Sequence, residues 1–124
     1  HPRFQLVVSY NPQPGRDLRP ATRQRFVAMA FAAPPAAAEV AIVVHESGLA
    51  SEQAMRLVGL AERTRALDAE AAKALSTRML VRTAQLMVQG MEPRWACELA
   101  LVQAWSDTPD RVQALRALVD ALYP

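Results

Sequence analysis

A double proline at positions 34 and 35 divides the chain into two parts with different hydrophobic patterns. Ahead of it, short apolar runs alternate with segments rich in proline, glycine and arginine. After it, apolar residues recur every three or four positions, which is the period of an amphipathic helix. We therefore predict an α/β plus all-α chain, in which residues 1–33 end an α/β domain and residues 34–124 form a helical domain.

The first part contains two candidate β-strands. Residues 4–10 read FQLVVSY, a short β-branched and aromatic run that stops at Asn11-Pro12, and residues 26–31 read FVAMAF. A nearly continuous apolar run of this length is typical of a strand buried on both faces of a parallel sheet. Because two strands do not make a stable sheet by themselves, the rest of the sheet is expected either to be missing or to come from sequence upstream of His1.

The second part predicts about five helices with regular apolar stripes. Proline suits the first turn of a helix and glycine its end, while a serine or threonine directly before the first turn can cap it. By these signals the helices begin near Pro35, Ser51, Ser76, Pro93 and Thr108, and the first and third end at Gly48 and Gly90. The buried stripes are expected at Leu57, Leu60, Ala61 and Thr64, at Leu80, Ala84, Met87 and Val88, and at Val112, Leu115, Leu118, Val119 and Leu122.

The composition excludes several classes of protein. A formal charge of +2 is too small to argue for a nucleic-acid or membrane partner, whereas an apolar fraction of 52% supports a real core. The single cysteine, Cys97, excludes a disulfide framework and is expected to be a buried small hydrophobe. No apolar run is long enough to span a membrane, and no signal peptide is visible.

Two elements of nucleotide chemistry are missing from the sequence. A phosphate loop ends in Gly-Lys-Ser or Gly-Lys-Thr, but the only lysine, Lys73, lies between alanines. Adjacent acidic residues at a strand end could hold Mg²⁺, but no two acidic residues are adjacent anywhere in the chain. We therefore expect no hydrolysis of a nucleotide by these 124 residues alone.

Asn11 is the first candidate for a functional residue. It lies at the C-terminal tip of the first candidate strand, which is the edge of an open parallel sheet where ligands bind. A side-chain amide at that edge can orient a water molecule or a phosphate oxygen. An Asn-Pro turn, which is the commoner arrangement, explains the same residue without any ligand, and the pattern leaves both open.

Three arginines are further candidates. Arg23 and Arg25 precede the second candidate strand, where a planar guanidinium could bind a phosphate or could simply be solvated. Arg78 follows Ser76-Thr77 in the first turn of its helix, where a cation opposes the positive end of the helix dipole. An anion there would be held by the guanidinium and by the free amides of the first turn. The alternative is a surface arginine whose side chain bends away.

Four segments occur in an order that resembles a known family. They read FQLVVSYNP, LRPATRQRF, STRMLVRTAQLMVQG and PRWACELAL, and the resemblance that they carry extends over nearly the whole chain. This order resembles the C-terminal part of the CbbQ/NirQ/NorQ group of MoxR-type AAA+ ATPases. The resemblance implies that residues 1–33 are the end of the AAA+ core and that residues 34–124 are its helical lid. It also implies a sensor 1 role for Asn11, an arginine-finger role for Arg25 or Arg23, and a sensor 2 role for Arg78.

For the complete protein, the resemblance implies an ATPase that uses ATP and Mg²⁺ and works as a homo-oligomer, a hexameric ring. Such a ring would remodel or activate a target metalloenzyme or carboxylase, such as nitric oxide reductase or Rubisco. A partner with a von Willebrand factor A domain and a cytoplasmic location are also implied, without nucleic-acid or membrane partners. The chain alone would bind nucleotide weakly at best, because its phosphate loop and acidic pair would lie upstream.

Two other classes of function remain open on the residues themselves. The chain could be a stand-alone helical interaction module that serves as an adaptor without ATPase activity. It could also be an arginine-rich nucleic-acid binder, although its arginines are scattered among acidic residues and no aromatic platform accompanies them. A phosphate loop encoded in frame upstream would favour the ATPase, and a start codon close to His1 would favour the adaptor.

Overall fold

A computed structural model describes residues 1–10, 18–29, 31, 33–67, 75–105 and 108–124. These residues form six α-helices, with no β-strand among them. The chain divides into two compact units, His1–Ala32 and Ala33–Pro124. Every buried side chain of the described residues belongs to the second unit.

Among its described residues, the first unit contains one short helix and neither of the predicted strands. Helix α1 spans Pro20–Arg23, while residues 4–10, 26–29 and 31 have no regular structure. Val7 and Val27 are 91% and 101% exposed. The predicted two-strand α/β tail is therefore not formed in the described residues. An extended segment becomes a strand only when a neighbour pairs with its backbone N–H and C=O groups, and no described segment of this unit supplies that neighbour.

Helices α2 and α3 form a hairpin that opens the second unit. Helix α2 spans Ala36–Ser47 and helix α3 spans Ser51–Leu67. Gly48 ends α2 with a φ of 75°, which glycine adopts without strain because it has no Cβ. The Ser47 hydroxyl donates to a carbonyl one turn back at 2.6 Å and accepts from the Leu49 N–H at 3.1 Å. The predicted helix end at Gly48 is confirmed.

Three further helices lie in the described part of the second unit. Helix α4 spans Thr77–Val88, and helix α5 spans Pro93–Cys97. Helix α5 continues as a π-helical segment over Glu98–Val102 and a 3₁₀ turn over Gln103–Trp105. Helix α6 spans Pro109–Leu122. The described part of this unit thus has five α-helices, as the hydrophobic period predicts.

A single hydrophobic core joins all five helices. Helix α2 packs on α3 and α4, and the π-helical segment packs on α4 and α6. Of the residues predicted to lie in buried stripes, only Val88 is clearly exposed, with 51% of its surface accessible. A helix turns by about 100° per residue, so Val88 lies at the edge of a stripe centred on Leu80, Ala84 and Met87. The fully buried core includes Val43, Leu57, Val58, Leu80, Ala84, Cys97, Leu101, Val102, Leu115 and Val119.

A shortened chain that begins at Pro34 should fold as cooperatively as the full chain. It keeps every buried side chain of the described residues and loses only a unit in which no described side chain is buried. Thermal unfolding followed by circular dichroism should show one sigmoidal transition in both chains. Loss of the transition in the shortened chain would mean that the first 33 residues belong to the cooperative unit.

Candidate functional site

The predicted site residues fall in both units. Asn11 lies outside the described residues, so its predicted place at a strand tip is not described. Arg23 is the last residue of α1, and Arg25 lies in the turn that follows, where its N–H donates to the Thr22 carbonyl at 3.1 Å. Both side chains are exposed. Helix α1 forms here because Pro20 occupies its first turn, where the missing N–H of proline costs no hydrogen bond.

Arg78 is the second residue of α4, as the sequence predicts, and its side chain is exposed. Ser76 occupies the N-cap position, but its side chain makes no capping hydrogen bond. The first turn contains no acidic residue. The positive end of the helix dipole and an exposed arginine therefore belong to the same turn of α4, an arrangement that could stabilise a bound anion.

A buried ion pair lies next to this helix end. Glu39 of α2 is fully buried, and the side chain of Arg65 of α3 is 12% exposed. The guanidinium holds the carboxylate with two parallel hydrogen bonds, from Nη1 to Oε2 at 2.8 Å and from Nη2 to Oε1 at 2.9 Å. Two parallel bonds of this kind fix orientation as well as distance.

The ion pair also holds the start of α4. The Thr77 hydroxyl donates to Glu39 Oε1 at 2.7 Å. Arg65 donates to the Leu75 carbonyl from Nε at 3.1 Å and from Nη2 at 2.7 Å. These bonds connect α2 and α3 to the first turn of α4. We call the bonded groups the buried network: Glu39, Arg65, Thr77 and the Leu75 carbonyl.

The buried network is ionised at neutral pH. Burial raises the pKa of the Glu39 carboxyl, but the hydrogen bonds from Arg65 and Thr77 outweigh this, so the pKa lies below its ordinary value of 4.5. The hydrogen bond to Glu39 in turn raises the pKa of Arg65, against the effect of burial. Each charge is therefore stabilised by the other.

Sequence reasoning missed this network, although one signal pointed to it. Glu39 lies four residues before Val43 within the apolar run of α2, which places its carboxylate on the buried face of that helix. A carboxylate on a buried face requires a cationic partner. The sequence offers thirteen arginines and one lysine, and nothing in their spacing selects Arg65, which is 26 residues away.

Other chemistry finds little support in the described part of the chain. Cys97 is fully buried, and burial, followed by the nearby Glu92 carboxylate, raises its pKa to about 12, so it remains a thiol at neutral pH. The prediction of a buried small hydrophobe is confirmed. No group of three or more histidine, cysteine or acidic side chains among the described residues could hold a metal ion. None of the described helices is long and apolar enough to cross a bilayer.

Comparison with known proteins identifies the family. A family model described as CbbQ/NirQ/NorQ C-terminal matches residues 39–122. The chain belongs to the CbbQ/NirQ/NorQ family. The match includes the buried network and Arg78, and it confirms the family that the order of motifs predicts.

Curated members of the CbbQ/NirQ/NorQ family align with nearly the whole chain. Denitrification regulatory protein NirQ of Pseudomonas aeruginosa is 46% identical over 96% of this chain and 47% of its own length. Protein CbbQ of Hydrogenophilus thermoluteolus is 42% identical over 99% of this chain and 48% of its own length. Protein NorQ of Paracoccus denitrificans is 40% identical over 98% of this chain and 47% of its own length. The chain spans about half the length of these relatives.

Proposed function

We propose that this chain is the C-terminal part of a MoxR-type AAA+ ATPase that couples ATP hydrolysis to the activation of a target enzyme. Family membership, from the match over residues 39–122, is the observation that carries the proposal. The phosphate loop and the Mg²⁺ site are assigned to the portion of the protein that corresponds to the other half of the relatives. The 124 residues then contribute the groups that sense and complete a nucleotide site.

The candidate residues fill three distinct roles in this proposal. Arg25, or Arg23 in its place, inserts into the nucleotide site of a neighbouring subunit and stabilises charge that develops on the γ-phosphate. Asn11 orients the attacking water as sensor 1. Arg78 binds a phosphate oxygen as sensor 2 and couples the helical domain to the nucleotide. The exposure of all three arginines and the absence of acid in the first turn of α4 support these roles.

The working protein is proposed to be a homo-oligomeric, hexameric ring, because an arginine that acts on a neighbour's nucleotide requires subunits in contact. A partner with a von Willebrand factor A domain would connect the ring to its target. The relatives include proteins named for the regulation of denitrification, which supports a metalloenzyme such as nitric oxide reductase as the target class. A carboxylase such as Rubisco is the other class that the family implies.

Substituting Arg78→Ala in the complete protein tests the sensor 2 role. Removing a charge-assisted hydrogen bond to phosphate should weaken ATP affinity by about tenfold or more and should lower kcat as well. Arg82→Ala is the matched control, because Arg82 is an exposed arginine one turn further along α4. Calorimetric ATP binding and steady-state hydrolysis would be compared. Parental Kd and kcat in Arg78→Ala would refute the role.

The 124-residue chain by itself should hydrolyse no ATP and should bind it weakly. It has no Gly-Lys-Ser or Gly-Lys-Thr sequence to surround the phosphates and no adjacent acidic pair to hold Mg²⁺. Isothermal titration with Mg·ATP should therefore give no saturable heat at micromolar concentrations. Tight binding would show that these residues contain a nucleotide site of another kind, and the proposed division of roles would be wrong.

A further inference from the structure

We propose that the buried network is a positioning device that sets the location and direction of Arg78 for the phosphates of a bound nucleotide. The inference rests on the proposed function, because it requires Arg78 to contact phosphate. It goes further by assigning a role to Glu39, Arg65 and Thr77, which do not touch the nucleotide themselves.

The start of α4 is held by other helices more than by its own cap. The Ser76 side chain makes no capping hydrogen bond. In place of a cap, the residues on either side of Ser76 are held from outside the helix. Arg65 binds the Leu75 carbonyl with two nitrogens, and Thr77 donates to Glu39. The first turn of α4 is therefore placed by α2 and α3.

Arg78 follows Thr77 directly in this held turn. A shift or rotation of the turn would move the Arg78 backbone by the same amount, and a misplacement of about 1 Å can cost two orders of magnitude in rate. The two parallel bonds between Arg65 and Glu39 fix these two side chains relative to each other. Thr77 and the Leu75 carbonyl bond to this fixed pair, so the turn has little freedom to move. Precise placement of Arg78 thus depends on side chains of two other helices.

The charge of the network is also suited to this role. Both carboxylate oxygens of Glu39 accept hydrogen bonds from Arg65, and Oε1 accepts a second bond from Thr77. The negative charge near the start of α4 is thereby neutralised by Arg65. The Arg78 guanidinium is exposed and keeps its attraction for an anion.

Stability alone is a poor reason for such a pair. Removing two charges from water costs desolvation free energy, and the attraction between the charges often does not exceed that cost. Apolar residues of similar volume frequently stabilise a core at least as much as the ion pair does. Unlike an apolar contact, the ion pair fixes the orientation of the groups that bond to it. These groups belong to the start of α4, whose first turn carries Arg78.

Thr77→Val tests the inference in the complete protein with little change in side-chain volume. The substitution removes the hydroxyl that joins α4 to Glu39, and we expect ATP affinity or kcat to fall by about tenfold. Thr83→Val is the matched control, because Thr83 lies in the same helix and, among the described residues, its hydroxyl donates to the Met79 carbonyl of that helix, at 2.9 Å. Thr77→Ser keeps the hydroxyl and should restore most of the lost function. Glu39→Gln, measured in parallel, should act in the same direction as Thr77→Val.

The decisive measurement is the dependence on Arg78. If Thr77 acts through Arg78, adding Thr77→Val to Arg78→Ala should cause no further loss of ATP affinity or kcat. An equal loss in both backgrounds would overturn the inference, because Thr77 would then act on the fold and not through Arg78. If Thr77→Val has the parental ATP affinity and kcat while Arg78→Ala is impaired, the inference is wrong but the sensor 2 role stands. A normal Arg78→Ala protein would overturn both the inference and the proposed sensor 2 role.

Discussion

Substituting Arg25→Ala in the complete protein should lower kcat for ATP hydrolysis by about three to five orders of magnitude. An arginine finger stabilises charge that develops on the γ-phosphate in the transition state, so its removal raises the barrier to hydrolysis. In the proposed ring, the phosphate loop that holds this nucleotide belongs to another subunit. The bound ground state should therefore lose little, and ATP affinity should stay nearly unchanged. Single-turnover hydrolysis and equilibrium nucleotide binding would separate the two effects.

Mixing two inactive proteins gives a sharper signature of action between subunits. A subunit with Arg25→Ala keeps its phosphate loop, and a subunit with a broken phosphate loop keeps Arg25. In a mixed ring, some interfaces pair an intact loop with an intact arginine, so part of the ATPase activity should return. Failure of any mixture to recover activity would argue against an arginine that acts on a neighbour's nucleotide.

Arg23→Ala is the internal comparison for the arginine finger. Arg23 lies two residues away, is also exposed, and is the second candidate for the same role. If Arg25 is the finger, Arg23→Ala should retain most of the turnover. The reverse result would move the role to Arg23. Parental turnover in both variants would exclude a finger in this segment and would contradict the proposed function at its most specific residue.

Leu101→Ala should cause a large loss of stability. Leu101 is fully buried in the π-helical segment, which packs against both α4 and α6. Deleting a buried leucine side chain and leaving a cavity costs about 2–5 kcal/mol of unfolding free energy. In a domain of this size each kcal/mol lowers Tm by about 4–8 °C. Urea unfolding at 25 °C would measure the loss directly.

Leu99→Ala is the matched control for the core substitution. Leu99 lies in the same π-helical segment but is 53% exposed, so the same chemical change should cost about 1 kcal/mol or less. A similar loss in both variants would mean that the segment contributes to stability through its helical conformation. A small loss in Leu101→Ala would mean that the core closes around the missing side chain.

Helices after Pro35 were predictable because their signal is local. An apolar residue every three or four positions favours one buried face whatever that face packs against, and Gly48 ends a helix through its own backbone freedom. The same local signal fails at the edge of a stripe, as Val88 shows. It also located Arg78 in the first turn of its helix, since the boundary follows from Ser76 and the apolar residues after it.

The two apolar runs of the first unit show that a local hydrophobic pattern does not suffice to predict a β-strand. Residues 4–10 have the composition of a buried strand, yet they form no strand in this structure. Composition reports that a segment would be stable in a sheet, whereas the strand itself exists only with hydrogen bonds to a neighbour. Pairing therefore depends on residues elsewhere, and no property of the segment alone supplies it.

The amino-acid sequence by itself determined the number of helices in the described part of the second unit, most of their buried stripes and the family. Only the tertiary structure decided that Glu39 pairs with Arg65 and that both hold the start of α4. Helical periodicity arises from neighbours within one turn, so it can be read from consecutive residues. An ion pair between two helices depends on how those helices pack and on which of many arginines reaches the buried carboxylate. That choice is made by the geometry of the whole unit.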